Sequence, residues 1–157
     1  MGWDMRKGLD ACEGRYVAII DGDGQFPLES LIACLLKIQR EELDLVMTYR
    51  TDRADGWARR VLSFGWNRLF RLLYPSIEVR DVNSKPKIFK RERLHELELT
   101  HDDWFIDAEI VIKAWKRGFR IGQIPIHFES LRARKSFVRL GTAMEFWRNL
   151  WRTRFRS

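Results

Sequence analysis

The sequence predicts an α/β fold with a mainly parallel sheet, and three neighbouring runs of residues carry this prediction. A strand-forming run at 15–20 stops at the segment DGDG, a run with helical apolar spacing follows at 28–40, and a second strand-forming run occupies 43–48. Strand, helix and strand in this order are typical of parallel strands joined by a crossover helix. At 157 residues the chain can form one such domain with a real core.

Apolar spacing and helix-ending residues predict the elements that follow. Two more helices and two more strands are expected, at 57–73, 106–117, 87–89 and 119–128. Pro75 and Gly118 end the two helices. Pro125 lies inside the last strand, which indicates an edge strand or a bulge.

The C-terminal segment, 136–157, differs from the rest of the chain in charge and in pattern. The formal net charge is +7, and residues 130–157 hold eight arginines and lysines against one glutamate, so the whole excess lies at this end. Apolar side chains three or four residues apart predict an amphipathic helix, namely Phe137, Leu140, Met144, Trp147 and Trp151. This helix either packs on the core of the body, 1–135, or contacts an anionic membrane surface, and the pattern allows both.

Composition argues against several other classes of protein. Hydrophobic residues make up 45% of the chain and aromatic residues 13%, which describes a globular protein. Cys12 and Cys34 cannot form a disulfide framework and lack zinc-ligand spacing, so a reducing compartment is expected. No apolar run approaches the roughly 20 residues that span a bilayer, which predicts a soluble or peripheral protein. The neutral body and the lack of a nucleic-acid-binding motif argue against a nucleic-acid partner.

The segment DGDGQ directly after the first strand has the chemistry of a metal site. Asp21, Asp23 and Gln25 are spaced two apart, so in an extended segment their oxygen atoms point the same way and can bind one cation. Oxygen ligands suit Mg²⁺ or Mn²⁺, and phosphate oxygens commonly complete the shell of such ions. An ordinary turn has the same composition. The position at the carboxyl end of a buried parallel strand favours the metal site, because open α/β sheets bind ligands there.

A basic group follows the second predicted strand. It consists of Arg50, Arg53, Arg59 and Arg60, with Ser63 one helical turn beyond Arg59. Guanidinium groups offer paired donors to phosphate oxygens, so this group is a candidate phosphate site. Each arginine alone would suit a solvated helix start, and the neighbouring DGDGQ segment is what favours phosphate binding.

Four segments in this order carry a resemblance to a known family: CEGRYVAIIDGDGQFP, VMTYRTDRADGWARRVLSFGWNRLFR, RDVNSKPKIFKRE and WFIDAEIVIKAWKRGFRIGQIPIHF. Over about 7–136 the chain resembles the inverting family 2 glycosyltransferases, in the branch similar to dolichyl-phosphate mannose synthase and the bacterial polyprenyl-phosphate glycosyltransferases. The resemblance implies a partial GT-A fold, which is the Rossmann-like fold of nucleotide-diphospho-sugar transferases, with a truncated sheet and a C-terminal amphipathic helix.

The resemblance also implies roles for particular residues. Asp21, Asp23 and Gln25 would hold Mg²⁺ or Mn²⁺, and Asp21, Asp23 and Asp81 would be the catalytic carboxylates. Substrate would be bound by the residues at the remaining motif positions, namely Arg50, Arg59, Ser63, Asp107, Glu109, Arg132 and Ser136. The implied reaction transfers a sugar from a nucleotide-diphosphate sugar to a polyprenyl phosphate, dolichyl or undecaprenyl. The implied location is cytoplasmic and peripheral, at the inner face of the membrane.

Two departures from the family pattern limit this expectation. The family's first two βα units, which hold the nucleotide base, are not matched, so an exposed sheet edge and compromised activity are expected if the chain is complete. The family's R-x-x-G-x-S-K element is represented by Arg132 to Ser136, one residue short and without its glycine. The alternative is a non-catalytic module, derived from the transferase fold, that binds a lipid surface through its basic helix.

Overall fold

A computed structural model describes the backbone of residues 2–22, 24, 26–53, 57–128 and 148–153, and their side chains except those of 52, 53, 57–63 and 128. The elements in chain order are α1 (Gly2–Asp10), β1 (Tyr16–Ile19), α2 (Leu28–Arg40), β2 (Leu45–Arg53), α3 (Trp57–Leu73), β3 (Lys87–Lys90), α4 (Arg91–Glu96), α5 (Ile106–Lys116) and β4 (Ile121–Phe128). Residues 148–153 are also helical. The predicted α/β class is confirmed.

The four described strands form one sheet in the order β1-β3-β2-β4. Strand β3 is antiparallel to both of its neighbours, whereas β2 and β4 are parallel. Three of the described strands therefore run in one direction, but two of the three pairings are antiparallel because the reversed strand β3 separates β1 from β2. The described sheet is thus mixed, whereas a mainly parallel sheet was predicted. Because of this reversal the first residue of β3, Lys87, pairs with Ile19 at the end of β1 and with Met47 in β2.

Helices cover both faces of the sheet, and the alternation of side chains along the strands decides which residues each helix meets. On one face Val17, Ile19 and Phe89 pack in a cluster with residues of α5. On the other face Val46 and Ile88 pack in a cluster with residues of α2. Lys87 is two residues before Phe89 and therefore shares its face, on the side of α5.

Strand β2 is longer than the sequence predicts. It continues to Arg53 because β4 pairs with it from Leu45 to Arg53. The pairing with β4 keeps the polar segment from Arg50 to Arg53 extended, although its local sequence pattern is typical of a turn. Arg50 therefore lies within β2, not after it. The register shifts between Arg50 and Asp52, and β4, which contains Pro125, ends the order of described strands, as its proline indicates.

In the described part of the chain, apolar side chains are exposed near β1 and along α2. Strand β1 is the other terminal strand of the described sheet. Near it Ile20 is 55% exposed, and on α2 the residues Leu28, Ile32 and Leu36, four apart on one helical face, are 69%, 57% and 53% exposed. The three α2 residues thus share one exposed face of the helix and are not scattered.

One turn of the predicted C-terminal helix packs on the core. Leu150 is fully buried in a cluster with residues of α3 and α5, and Asn149 Nδ2 donates to Asp103 Oδ2 at 2.6 Å. Trp151, which the pattern assigns to the apolar stripe, is 48% exposed instead. The other stripe residues lie outside the described residues. Among the described helices, none combines the length and the apolar character that crossing a membrane requires.

Helix α1 was not predicted, and it docks through close backbone contact. Trp3 N donates to Asp102 O at 3.3 Å, and a Cβ atom on Gly2 would lie 2.5 Å from the carbonyl carbon of Asp102. No atom lies within 4 Å of a Cβ built on Gly8, in the same helix. Of these two glycines of α1, Gly2 has a steric reason to be glycine and Gly8 has none.

We predict that Gly2→Ala and Gly8→Ala change stability in opposite directions. Gly2→Ala should lower the free energy of unfolding by about 1 kcal/mol or more, because the added methyl group collides with backbone atoms. Gly8→Ala should raise it by about 0.5–1 kcal/mol, because alanine is the better helix former. Urea unfolding followed by circular dichroism measures both, and equal effects of the two substitutions would contradict the docking of α1.

Candidate active site at the carboxyl ends of the strands

Charged side chains form a network beside the end of β1 and the middle of β2. Its six members form two ion-paired groups, which are Asp21, Lys85, Asp107 and Lys87 in one and Asp81 with Arg50 in the other. The two groups interact electrostatically, because the charge of Asp81 raises the pKa of Lys87. They come from distant parts of the chain: the end of β1, strand β2, the segment before β3, the start of β3 and the first turn of α5. The fold, not local sequence, therefore brings them together.

Asp107 is the centre of the network. Its Oδ1 lies 2.5 Å from Lys87 Nζ and its Oδ2 lies 3.1 Å from Lys85 Nζ. The side chains of Asp107, Lys85 and Lys87 are 4%, 4% and 0% exposed. Burial raises the pKa of Asp107, but the two ammonium groups outweigh burial and hold the pKa below its usual value. Burial is the largest influence on the pKa of Lys87 and, although Asp107 raises this pKa, it stays below its usual value. The ammonium group of Lys87 also donates a hydrogen bond to Ser84 O at 2.9 Å.

Lys85 connects this buried centre to the predicted metal ligand Asp21. The Nζ atom of Lys85 lies 3.2 Å from Asp21 Oδ1, and the Asp21 side chain is 38% exposed. Asp21 is two residues after Ile19, so strand alternation directs it to the side of the sheet where α5 lies. Burial lowers the pKa of Lys85, but Asp107 and Asp21 together outweigh burial and raise the pKa. The ammonium group is therefore held between two carboxylates.

Arg50 and Asp81 form the other end of the network. The Nε and Nη2 atoms of Arg50 donate to Asp81 Oδ2 and Oδ1 at 2.7 and 3.2 Å, and the Asp81 side chain is 3% exposed. Thr48 and Ser84 share a hydrogen bond of 2.8 Å that ties the same loop to β2. Arg50 was predicted to bind substrate and Asp81 to be a catalytic carboxylate. The geometry shows that Asp81 orients the guanidinium group of Arg50.

Glu109 does not join the network, although it was predicted together with Asp107. It is 1% exposed and accepts hydrogen bonds from Thr100 N at 2.9 Å, Thr100 Oγ1 at 2.8 Å and His101 N at 3.0 Å. Its Oε1 also lies 2.8 Å from Lys113 Nζ. Burial raises the pKa of Glu109, but these partners outweigh burial and lower it. The contacts of Glu109 hold the segment before α5.

The remaining predicted site residues cannot be positioned from the described side chains. Asp23, Gln25, Arg132 and Ser136 lie outside the described residues. Arg59 and Ser63 lie in α3, and their side chains are not among those described. Their roles stay predictions.

Mg²⁺ and Mn²⁺ are bound by several oxygen donors. The described residues contain no cluster of three or more acidic, histidine or cysteine side chains that could hold a metal by itself. Asp21 supplies carboxylate oxygens at the predicted position, and the ammonium group of Lys85 stands beside it as a cation of the protein's own. In the adjoining loop the buried Asn83 Oδ1 has no hydrogen-bond partner among the described residues. Asp21 and Asn83 thus offer oxygen donors of the kind that a hard cation prefers, and a cation there would need further oxygen ligands.

Sequence reasoning missed Lys85 and Lys87. A lysine in a loop or at the start of a strand normally faces water, so neither residue was considered for the site. A usable signal was present in α5, where Asp107 stands in the largely apolar run IDAEIVIKAW. An acid on a helix that is apolar on most sides must be buried, and a buried acid needs a cation.

The fold of this chain corresponds to part of the GT-A architecture. Residues 1–98 match the model of glycosyl transferase family 2, and the chain belongs to this family. The resemblance inferred from the sequence motifs is therefore confirmed.

Two curated relatives match most of this chain. Dodecaprenyl-phosphate galacturonate synthase from Rhizobium johnstonii is 27% identical over 127 residues, which covers 78% of this chain and 36% of the relative. Glycosyltransferase AglD from Haloferax volcanii is 27% identical over 134 residues, which covers 82% of this chain and 21% of the relative. The chain thus spans about a third and a fifth of the lengths of these proteins.

Solved structures share the fold at low identity. Glucosyl-3-phosphoglycerate synthase from Mycobacterium tuberculosis superposes with a TM-score of 0.71 at 20% identity, covering 98% of this chain and 54% of that protein. The same synthase in complex with Mn²⁺, uridine diphosphate and glucosyl-3-phosphoglycerate gives a TM-score of 0.76 at 19% identity, with the same coverage. Nearly all of this chain therefore corresponds to about half of a GT-A synthase.

We predict that Glu109→Gln lowers the free energy of unfolding by about 2–3 kcal/mol at pH 7, because hydrogen bonds to a buried charge are lost. The folded-state pKa of Glu109 is lowered, so its contribution is complete above the pKa of the unfolded chain, about 4.3, and is lost as the pH falls below that value. The difference between wild type and variant should therefore shrink below about pH 4.

The control for this prediction is Glu41→Gln. It removes the same charge from an exposed pair with Lys37 and should change stability by less than about 0.5 kcal/mol. Urea unfolding at a series of pH values measures both variants. A Glu109→Gln protein as stable as wild type at pH 7 would show that the buried contacts of Glu109 are not structural.

Proposed function

We propose that this chain transfers a sugar from a nucleotide-diphosphate sugar to a polyprenyl phosphate in a reaction that needs Mg²⁺ or Mn²⁺. The observation that carries the proposal is the charge network beside the end of β1, in which Asp21 lies next to Lys85 in a family 2 chain. The dodecaprenyl-phosphate galacturonate synthase supports a polyprenyl phosphate acceptor. The synthase complex with Mn²⁺ and uridine diphosphate supports a nucleotide donor and a divalent cation.

The residues of the site divide between the metal and the phosphates. Asp21, Asp23 and Gln25 would hold the cation, which when bound neutralises charge on the leaving diphosphate. Arg50, with Arg59 and Ser63 from α3, would bind phosphate oxygens. Asp81 contributes by fixing the guanidinium group of Arg50 in one orientation through two hydrogen bonds. The pre-set orientation means that little rearrangement is needed when phosphate arrives.

A phosphate acceptor makes few demands on acid–base catalysis. The attacking oxygen of a phosphate monoester is already anionic at neutral pH, so a strong general base is not required. Positioning and electrostatic stabilisation of the diphosphate would then supply most of the rate. This agrees with a site in which the described carboxylates pair with cations.

A lipid acceptor requires contact with a membrane, and the C-terminal end of the chain offers a suitable surface. Arg148, Trp151 and Arg152 are exposed on the helical segment 148–153. Between this segment and α5 lies a cleft of about 360 Å³ lined by several cationic side chains, namely Lys113, Lys116, Arg117 and Arg152. Cations beside an exposed tryptophan suit an anionic membrane surface, so we propose a peripheral position at the cytoplasmic face.

The test uses the full chain, Mn²⁺, a panel of uridine-diphosphate sugars and a polyprenyl phosphate in detergent, with release of uridine diphosphate as the readout. We expect transfer that stops when the metal is chelated. Asp23→Ala should reduce the rate at least about a hundredfold, because a metal ligand at the leaving group is lost. Asp10→Ala, which removes an exposed aspartate at the end of α1, should keep the wild-type rate.

The same proteins distinguish the second candidate, a non-catalytic module that binds a lipid surface. That candidate is supported by the exposure of Trp151 and by the basic cleft. It predicts binding to vesicles with phosphatidylglycerol that is equal for wild type and Asp23→Ala, with no transfer by either protein. Transfer by the wild type that Asp23→Ala leaves intact would contradict the metal site itself.

A further inference from the structure

We propose that Lys85 couples the binding of the divalent cation to the binding of the anionic diphosphate, so that each one binds well only when the other is present. This inference rests on the proposed function. It concerns a residue to which the sequence motifs assigned no role, and it follows from the position of Lys85 between two carboxylates that differ in exposure: Asp21 at 38% and Asp107 at 4%.

The first step is competition at Asp21. The ammonium group of Lys85 lies 3.2 Å from Asp21 Oδ1, which is the carboxylate that a cation at this position would need. A divalent cation that binds alone must weaken this ion pair. It must also come close to a lysine that is 4% exposed and therefore poorly screened by water. Both effects lower the affinity of the site for metal alone.

The second step is the retention of Lys85 at the site. Its Nζ atom also lies 3.1 Å from Asp107 Oδ2, and Asp107 in turn is held by Lys87 at 2.5 Å. A lysine displaced from Asp21 therefore keeps a buried partner and has no reason to leave for solvent. The positive charge stays next to the position of the metal.

The third step follows from the count of charges. The six described members of the network are three cations and three anions, and the proposed ligand Asp23 would add one more anion, which offsets only half of the charge of a divalent cation. A divalent cation adds two positive charges to a largely buried cluster, and this excess is unfavourable until an anion arrives. A diphosphate restores the balance, and Lys85 then attracts it. Lys85 therefore opposes the metal alone and favours the metal together with the diphosphate, and by linkage the effect is reciprocal.

The test measures two dissociation constants for Lys85→Met in the full chain. Free Mn²⁺ is measured by electron paramagnetic resonance in a titration without nucleotide, and uridine diphosphate is titrated by calorimetry at saturating Mn²⁺. We expect Mn²⁺ alone to bind about three- to fivefold more tightly than in wild type, and uridine diphosphate to bind about three- to fivefold more weakly. The opposite signs separate coupling from a structural role, which would weaken both.

The Lys85→Met variant should fold although it lacks one cation. The buried Asp107 keeps Lys87 as its partner, and the carboxylate of Asp21 is partly exposed to water. Lys85→Gln provides a second neutral variant with the same expected shifts, and Lys85→Arg, which keeps the charge, should restore wild-type behaviour. Lys37→Met is the matched control, because Lys37 pairs with Glu41 in an exposed ion pair on α2 and not with the network. It should leave both constants unchanged.

The outcomes separate the two proposals. If the neutral variants bind Mn²⁺ with unchanged or lower affinity while wild type binds metal and nucleotide, the coupling role of Lys85 is wrong and the proposed function stands. If wild type binds neither Mn²⁺ nor uridine diphosphate and releases none from a donor sugar, the proposed function is wrong and the coupling falls with it.

Discussion

The burial of alternating charges at one end of the sheet is the constraint that the rest of this fold satisfies. An unpaired ammonium or carboxylate group costs several kcal/mol when it leaves water, so Lys87, which is fully buried, needs Asp107 beside it. Asp107 in turn holds Lys85, and Lys85 reaches Asp21 at the rim of the site. Removing Asp107 would leave the fully buried Lys87 without its ion-pair partner, so the arrangement depends on the first turn of α5 being in place.

The reversed direction of β3 is what makes this arrangement possible. A parallel strand in that position would direct its first residue to the opposite end of the sheet, away from the carboxyl ends of β1 and β2. Because β3 runs backwards, its first residue, Lys87, pairs with Ile19 and Met47 and lies under the first turn of α5. A buried ionic cluster contributes little net stability compared with apolar packing. Its position where α/β sheets bind ligands is better explained by function, since such sites use fixed charges to stabilise developing charge.

How much the sequence predicts depends on how local the determining interactions are. Helices α2 and α3 have the predicted ends because apolar spacing and flanking residues define them within the segment itself. The order of the strands and the extension of β2 to Arg53 depend on pairing with distant segments, which local pattern does not contain. Asp21 was identified from its spacing after a strand, whereas Lys85 was missed because only the burial of Asp107 reveals that a cation must be near.

The central claim is that Asp21 and its network form the metal site of a sugar-transferring chain. Paramagnetic broadening of the amide signals of the ¹⁵N-labelled chain by Mn²⁺ with uridine diphosphate tests it most directly. The account predicts that signals of Gly22, Lys85 and Asp107 broaden first, while Asp44 and Arg120, joined by hydrogen bonds at the opposite end of β2, stay sharp. Broadening that is uniform, or that is centred on Asp44, would contradict it.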